Sequence, residues 1–96
     1  MATYIILANW TDEGMKHIKD TIQRAQYFGT LCEQHGAKLL SLHWTQGRYD
    51  NIAVIEAPDE QAAMASLFAS CQRGYIRTET LRAFNESEMR AILQKV

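Results

Sequence analysis

The stretch that decides the fold is residues 38–57, KLLSLHWTQGRYDNIAVIEA. Residues 38–45 alternate with period two, and residues 51–57 are rich in β-branched side chains, so each segment is predicted to be a strand. Only residues 46–50 separate the two segments, and they include Gly47. Because a connection this short joins antiparallel neighbours, the stretch predicts a β-hairpin.

A helix and a further strand are predicted on each side of this hairpin. Before it, a β-branched and aromatic segment is followed by Thr11, a good N-cap, and by apolar residues at helical spacing. Asp20 and Thr21 interrupt that run, since either could cap a second helical segment. The predicted elements are a strand over 3–10, a helix to about 35, strands over 38–45 and 51–57, a helix from 59 to 74, a strand over 75–81, and a last helix opened by a capping box over 85–88.

This order, β-α-β-β-α-β followed by a helix, predicts an α+β protein of the ferredoxin-like class. Such a fold has a four-stranded antiparallel sheet with both main helices on one face. The chain has 96 residues, of which 47% are apolar and 22% charged. These values are typical of one globular domain, so residues 1–96 are expected to form a single domain.

The second face of the sheet is predicted to be apolar as well, on the basis of the apolar residues Ile5, Leu7, Leu39, Ile52 and Val54. A broad apolar sheet face is not left in water. We therefore expect two copies to pack sheet against sheet, as a homodimer or higher homo-oligomer enclosing a barrel-like interior. Period two places Leu40, Leu42 and Trp44 on one face of the second strand, and Leu39, Ser41, His43 and Thr45 on the other.

The overall charge gives no reason to expect nucleic acid or a membrane as a partner. Ten Lys and Arg residues against eleven Asp and Glu residues leave a net charge of −1. No apolar run approaches the roughly 18 residues of a membrane span, and the first residues lack a secretory pattern. A cytoplasmic location is the expectation, with Cys32 and Cys71 as free thiols.

Four segments together resemble the GYD family of small bacterial and archaeal proteins, which is named for a Gly-x-Tyr-Asp motif. The motif is formed here by Gly47, Tyr49 and Asp50. The resemblance implies a dimeric α/β-barrel of the ferredoxin-like type and no established activity. Family members often carry an aromatic residue at the position of His43. The segments are LANWT at 7–11, WTQGRYD at 44–50, IEAPD at 55–59 and RTETLRAF at 77–84.

The turn from Gly47 to Asp50 is the strongest local candidate for a binding site. In a functional interpretation its backbone amides face a ligand, Tyr49 donates a hydrogen bond, and Asp50 acts as a base or anchor. In a structural interpretation Gly47 supplies a positive φ, Asp50 caps the turn and Tyr49 packs over it. The candidate ligand-binding residues are Asn9, His43, Gly47, Tyr49 and Asp50.

His43 and Asp50 are the candidate catalytic residues. An imidazole in the dimer interior, near the Asp50 carboxylate, could transfer protons near neutral pH. The alternative is that His43 only completes a hydrogen-bond network. No pair of histidines has metal-ligand spacing, so neither a metal nor another cofactor is expected.

The remaining chemistry-bearing residues have structural interpretations that are at least as good. Both cysteines lie on apolar helical stripes, where a cysteine usually behaves as a small hydrophobe. Five aromatic residues would suit a pocket, although aromatic residues in so small a protein usually form the core. They are Tyr4, Trp10, Tyr27, Trp44 and Tyr75.

Two functions of different class follow from these observations. The first is a small-molecule-binding domain, with the hypothesis of cofactor-independent proton transfer in the dimer interior. The second is a non-enzymatic assembly or regulatory module, in which the same residues are structural. Ferredoxin-like sheets support many unrelated functions, so the fold does not decide between the two.

Overall fold

Four strands and four α-helices follow one another in a computed structural model that describes residues 1–96. A short 3-10 turn, Ile18–Asp20, separates the first two helices. The strands are β1 (Ala2–Trp10), β2 (Lys38–Trp44), β3 (Asn51–Ala57) and β4 (Ile76–Ala83), and the helices are α1 (Asp12–Lys16), α2 (Thr21–Gln34), α3 (Glu60–Cys71) and α4 (Glu86–Leu93).

The strands form one antiparallel sheet in the order β2-β3-β1-β4. This is the ferredoxin-like arrangement that the element order predicts, and the predicted hairpin is formed by β2 and β3. In the central strand β1, Ile5 pairs with Val54 of β3 on one side and with Leu81 of β4 on the other. Leu7 pairs in the same way with Ile52 and Glu79. Directly paired residues share a face, so each such row runs across one side of the sheet.

Three of the four α-helices begin at a side chain that accepts a hydrogen bond from a free backbone N–H group. The Thr11 hydroxyl accepts from the Gly14 amide at 3.1 Å, and the Asp59 carboxylate accepts from the Ala62 amide at 2.8 Å. Asn85 and Glu88 form the predicted capping box at the start of α4. The interruption expected at Asp20 and Thr21 is confirmed, because the 3-10 turn ends and α2 starts there, but the Asp20 side chain makes no capping hydrogen bond.

The hydrophobic core lies between the sheet and the helices α2 and α3. We call this side of the sheet the helical face. Ile55, Leu67 and Cys32 are among its most deeply buried side chains, with at most 2% exposed. Every second residue of β1 and β3 contributes to it, which is the period expected of a strand with one face in the core. The core residues of these two strands are Tyr4, Ile6, Ala8, Ala53, Ile55 and Ala57.

A close backbone approach at Gly14 fixes the position of α1. A Cβ atom at this residue would lie 2.1 Å from the Tyr75 carbonyl oxygen, which no side chain can tolerate. The Thr11 amide donates to that same oxygen at 3.0 Å. The segment before β4 is therefore held against the end of β1, and Tyr75 and Trp10 are brought close to each other.

A β-bulge in β2 corrects one prediction about its faces. Leu39 pairs with Ile55 and Ser41 pairs with Val54, so Leu40 is an extra residue without a partner. The alternation therefore shifts by one position. Leu39 packs on the helical face near Gly29 of α2. The prediction that Leu39 shares a face with Ser41 and His43 is therefore wrong. Ser41 and His43 lie on the opposite face, as predicted.

The C-terminal helix α4 extends away from the rest of the chain. All its residues except Glu88 are exposed, including Met89, Ile92 and Leu93. The radius of gyration is 14.2 Å, against about 12.5 Å for a compact chain of this length. An amphipathic helix thus leaves its apolar side without a partner within the chain. No helix has the length and apolar character needed to cross a membrane.

Candidate functional site

The sheet has a second face that no helix covers, and we call it the open face. Its centre is a continuous apolar patch formed by Ile5, Leu7, Ile52, Val54 and Leu81. The first four are half-buried and Leu81 is 41% exposed. The prediction that both faces of the sheet carry apolar side chains is confirmed at these positions.

Polar side chains surround this patch at the end of the sheet where β1 finishes. His43 is exposed and lies opposite Ile52, and Asn9 lies opposite Arg77. The Tyr49 hydroxyl donates to Glu79 Oε1 at 3.1 Å, which places the phenol over the open face. His43, Asn9 and Tyr49 therefore share one end of one face.

The turn between β2 and β3 has the conformation that its glycine permits. Gly47 has a φ of +98°, in the left-handed region, and open space surrounds its Cα. The Thr45 hydroxyl donates to the Tyr49 carbonyl at 2.6 Å, and the Thr45 amide donates to the Asp50 carbonyl at 2.9 Å. These bonds fold the turn back on itself.

Asp50 joins this turn to the end of β1. Its carboxylate accepts from the Trp10 amide at 2.9 Å, and its own amide donates to the Ala8 carbonyl at 2.9 Å. The Asp50 side chain therefore extends the β1–β3 ladder beyond its last paired residues. Neither a hydrogen bond nor an ion pair joins Asp50 to His43. The five candidate residues are gathered at one end of the sheet, with the Asp50 carboxylate bonded to backbone.

A second candidate site lies on the other side of the sheet, between the helical face and α2. It is a cavity of about 50 Å³ whose aromatic walls include Trp10, Trp44, Phe28 and Tyr75. Three of the five aromatic residues considered for a pocket thus line one. The other two do not: Tyr4 lies in the core and Tyr27 lies in an outer groove.

The polar groups of this cavity differ in how well they are satisfied. The Trp44 indole N–H donates to the Thr21 hydroxyl at 3.0 Å. In contrast, the Trp10 indole nitrogen is buried and has no hydrogen-bond partner. An unpaired buried donor costs roughly 1–3 kcal/mol, so such a group is unusual in a native structure. Sequence reasoning considered a pocket for these aromatic residues but favoured the core, and it did not identify the unpaired indole or the two arginines beside it.

Two arginines stand at the mouth of the cavity. Arg24 and Arg73 line both the cavity and an outer groove of about 320 Å³. The Arg24 guanidinium donates to the His17 carbonyl at 2.7 Å and to the Gly14 carbonyl at 3.3 Å. The Arg73 guanidinium lies over the Tyr27 ring, 4.3 Å from its centroid. Neither arginine forms a salt bridge with an acidic side chain.

The cysteines behave as their helical positions predict. Cys32 is fully buried, and burial raises the pKa of its thiol to about 11, which keeps it protonated at neutral pH. A side-chain hydrogen bond with Ser66 acts in the opposite direction and is weaker. Cys71 is half-buried, with its sulfur 3.6 Å from the Thr78 hydroxyl. The structure gathers no cluster of three or more His, Cys, Asp or Glu residues suited to a metal ion.

Comparison with known proteins identifies relatives over nearly the whole chain. A relative from Thermus thermophilus, the glutamine synthetase and cystathionine beta-lyase binding protein, is 26% identical over 95 residues. The match covers 98% of this chain and 100% of that protein.

A crystal structure of TTHA0845, also from Thermus thermophilus, has a similar fold. It superposes with a TM-score of 0.56 at 22% identity, covering 88% of this chain and 95% of the other. The GYD domain matches residues 4–93. This match includes the sheet, α2, α3 and the Gly47 to Asp50 turn, and the chain therefore belongs to the GYD domain family.

Proposed function

We propose that this protein is a homodimeric binding module that associates with other proteins, with glutamine synthetase or cystathionine beta-lyase among them. The apolar centre of the open face is the observation that carries the homodimer. The partner proteins are suggested by the name of the Thermus relative, which matches this chain over its whole length.

The open face is suited to pairing with a second copy of itself. Its central residues are aliphatic, and they form two adjacent cross-strand rows rather than scattered contacts. Burying this patch twice removes apolar surface from water at about 25 cal/mol per Å². The exposed apolar side of α4 offers further area for the same association. A symmetric pair uses the same surface on both subunits.

The hydrogen bonds of the motif residues support a binding role over a catalytic one. The Asp50 carboxylate is bonded to the Trp10 amide, and the Tyr49 hydroxyl to Glu79. Both groups therefore hold the turn against the sheet. A module built in this way presents its helices outward once the open faces have paired. Phe68 of α3 is then a prominent apolar side chain on the outside, with 63% of its surface exposed.

The dimer is tested by sedimentation velocity at low micromolar concentration, with two leucine variants. Leu81 lies in the open face and is 41% exposed, whereas Leu40 lies at the bulge and is 44% exposed. Leu81→Lys should give a monomer, because it places a charge in the apolar interface, and Leu40→Lys should remain a dimer. A stable monomer of the unmodified protein would overturn the proposed dimer.

Partner binding is tested by biolayer interferometry with purified glutamine synthetase and cystathionine beta-lyase from the same organism. We expect at least one enzyme to bind with a dissociation constant on the order of 1–10 μM. Phe68→Ser should weaken this binding at least about tenfold while leaving the dimer intact. Absence of binding to both enzymes at about 100 μM would overturn the proposed partners.

A second candidate function is small-molecule binding, including proton transfer, inside the dimer. The observation that favours it is the common location of His43, Tyr49 and Asn9 on the open face. Pairing of two such faces would enclose these side chains. In this candidate His43 is the base, and Asp50 supports the turn through the Trp10 amide rather than acting on His43.

A further inference from the structure

We propose that the cavity between the helical face and α2 is a binding site for a small aromatic carboxylate. The site is independent of the open face and of the protein partners proposed above. Three features define it: flat apolar walls, one unsatisfied buried hydrogen-bond donor, and two arginines at the entrance.

The walls select a flat apolar group. Indole rings of Trp10 and Trp44 line the cavity together with Phe28 and Tyr75. Aromatic rings favour offset or edge-to-face contact with another ring, at about 0.5–1.5 kcal/mol beyond the area buried. Small side chains, Ala8 and Ala53, form part of the sheet wall and leave room above it. A planar ring fits such a space better than a saturated one.

The Trp10 indole selects a hydrogen-bond acceptor. Its nitrogen is shielded from solvent, and no protein atom accepts its proton. An indole N–H is a donor only, so its complement is an oxygen or nitrogen lone pair. The indole N–H of the other tryptophan, Trp44, already donates to the Thr21 hydroxyl and needs no ligand acceptor. A ligand oxygen would therefore complete the one unsatisfied donor of the cavity.

The entrance selects negative charge. The residues lining the cavity include Arg24 and Arg73 and no acidic residue. Asp20 is the one acidic residue of the outer groove, and it makes no ion pair. Arg24 is committed to two backbone carbonyls, whereas Arg73 makes only stacking contacts with Tyr27 and Tyr75. Arg73 is thus the cation free to pair with a carboxylate.

The size of the cavity limits the ligand to a single ring. A volume of about 50 Å³ corresponds to roughly three to five water molecules on the same scale. In the proposed pose the carboxylate lies where the cavity meets the outer groove, so that one oxygen accepts from the Trp10 indole and the other pairs with Arg73. Together these constraints describe a monocyclic aromatic acid, for which benzoate is the simplest probe.

The two indole groups provide an internal comparison for the experiment. The chain has two tryptophans, and Trp44→Phe assigns their N–H signals in a ¹H–¹⁵N spectrum. Titration with benzoate should move the Trp10 indole signal strongly downfield, with a dissociation constant on the order of 1 mM or below. Benzamide, which has the same ring without the charge, should bind at least about tenfold more weakly, and so should non-planar cyclohexanecarboxylate.

Arg73→Gln should weaken benzoate binding at least about fivefold, whereas Arg90→Gln should not change it. Arg90 pairs with Glu86 on α4, remote in sequence from the cavity residues, and is the matched control. No response of the Trp10 signal at about 20 mM benzoate would overturn the proposal. Equal responses to inorganic phosphate and benzoate would also overturn it, since they would show a charge site without ring selection.

Discussion

The two faces of one sheet, built from alternate residues of the same strands, have different roles. On the helical face, Ile6 and Ile55 are almost fully buried and meet side chains from α2 and α3. On the open face, their neighbours Leu7 and Val54 are only half-buried, and no helix covers them. The apolar character of a strand therefore does not show which partner it will have. The helical face is covered by the chain's own helices, whereas no helix of the chain covers the open face, on which we propose that a second copy packs.

The largest expected effect comes from the helical face, at the contact of Gly14 with Tyr75. Gly14→Ala would place a Cβ atom 2.1 Å from a carbonyl oxygen, so α1 must move. We expect a loss of at least about 3 kcal/mol in the free energy of unfolding, measured by urea denaturation. Gly29→Ala is the control, since its Cβ would meet Leu39 at an ordinary 3.5 Å. It should gain up to about 1 kcal/mol from helix propensity.

Substitutions at two adjacent residues of β3, which lie on opposite faces of the sheet, compare the two faces most directly. Ile55→Ala should cost about 3 kcal/mol at every protein concentration, because it opens a cavity in the core. Val54→Ala should cost about 1 kcal/mol, and the loss should depend on protein concentration because a dimer buries this side chain. Both are measured by thermal or urea unfolding over about a hundredfold range of concentration. Concentration-independent losses for both variants would contradict a role of the open face in assembly.

At the turn that joins the faces, Gly47→Ala should cost more than about 1 kcal/mol. The φ of +98° is strained for any residue with a Cβ atom, although the surrounding space is open. Asp50→Asn should cost less, because an amide oxygen can still accept from the Trp10 amide. Urea unfolding of both variants checks this order. A larger loss for Asp50→Asn would show that the carboxylate charge itself is needed.

Cys32 and Cys71 should differ in reactivity, because one is enclosed by the helical face and the other is half-buried. In the folded protein at pH 8, a thiol reagent should modify Cys71 rapidly and Cys32 only on unfolding. The pKa of Cys32 is raised from 9.0 to about 11, so the unfolded chain loses that proton first. The stability contributed by the neutral thiol is therefore complete below pH 9 and is lost as the pH rises to about 11. Cys32→Ala should remove this part of the pH dependence.

The smallest effect is expected at His43 on the open face. Asp50→Asn should leave the His43 ring signals in NMR spectra unchanged, because no bond joins the two side chains. Leu81→Lys should move them, because separation of the dimer would expose His43 to solvent. If neither substitution moves them, His43 lies outside the interface and cannot be the base of a dimer-interior reaction.

The fold was predictable because local signals and the element order agree. Caps at Thr11, Asp59 and Asn85 are visible in sequence, and each satisfies the amide expected of it. The positive φ of Gly47 follows from turn chemistry in the same way. These features depend on residues three or four positions apart, which a sequence places together.

The cavity was not predictable for the opposite reason. Trp10 and Trp44 lie on different strands, Tyr75 precedes β4, Arg24 lies in α2, and Arg73 lies in the turn after α3. Nothing in the order of residues shows that one indole is bonded and the other is not. The hydrogen bond from the Trp10 amide to the Asp50 carboxylate is equally non-local, since 40 positions separate the two residues. Both findings depend on packing between layers.

The bulge at Leu40 decides which aromatic and which ionisable side chain each face receives. Upstream of it, odd-numbered residues of β2 point toward α2; downstream, even-numbered residues do. Had the pairing continued regularly from Leu39, His43 would lie opposite Asn51, where Trp44 now lies, and Trp44 would stand in the open face. Loss of the Leu40 codon would therefore remove the bulge and leave both side chains on their present faces, an evolutionary route to a regular strand that keeps the chemistry of the two surfaces.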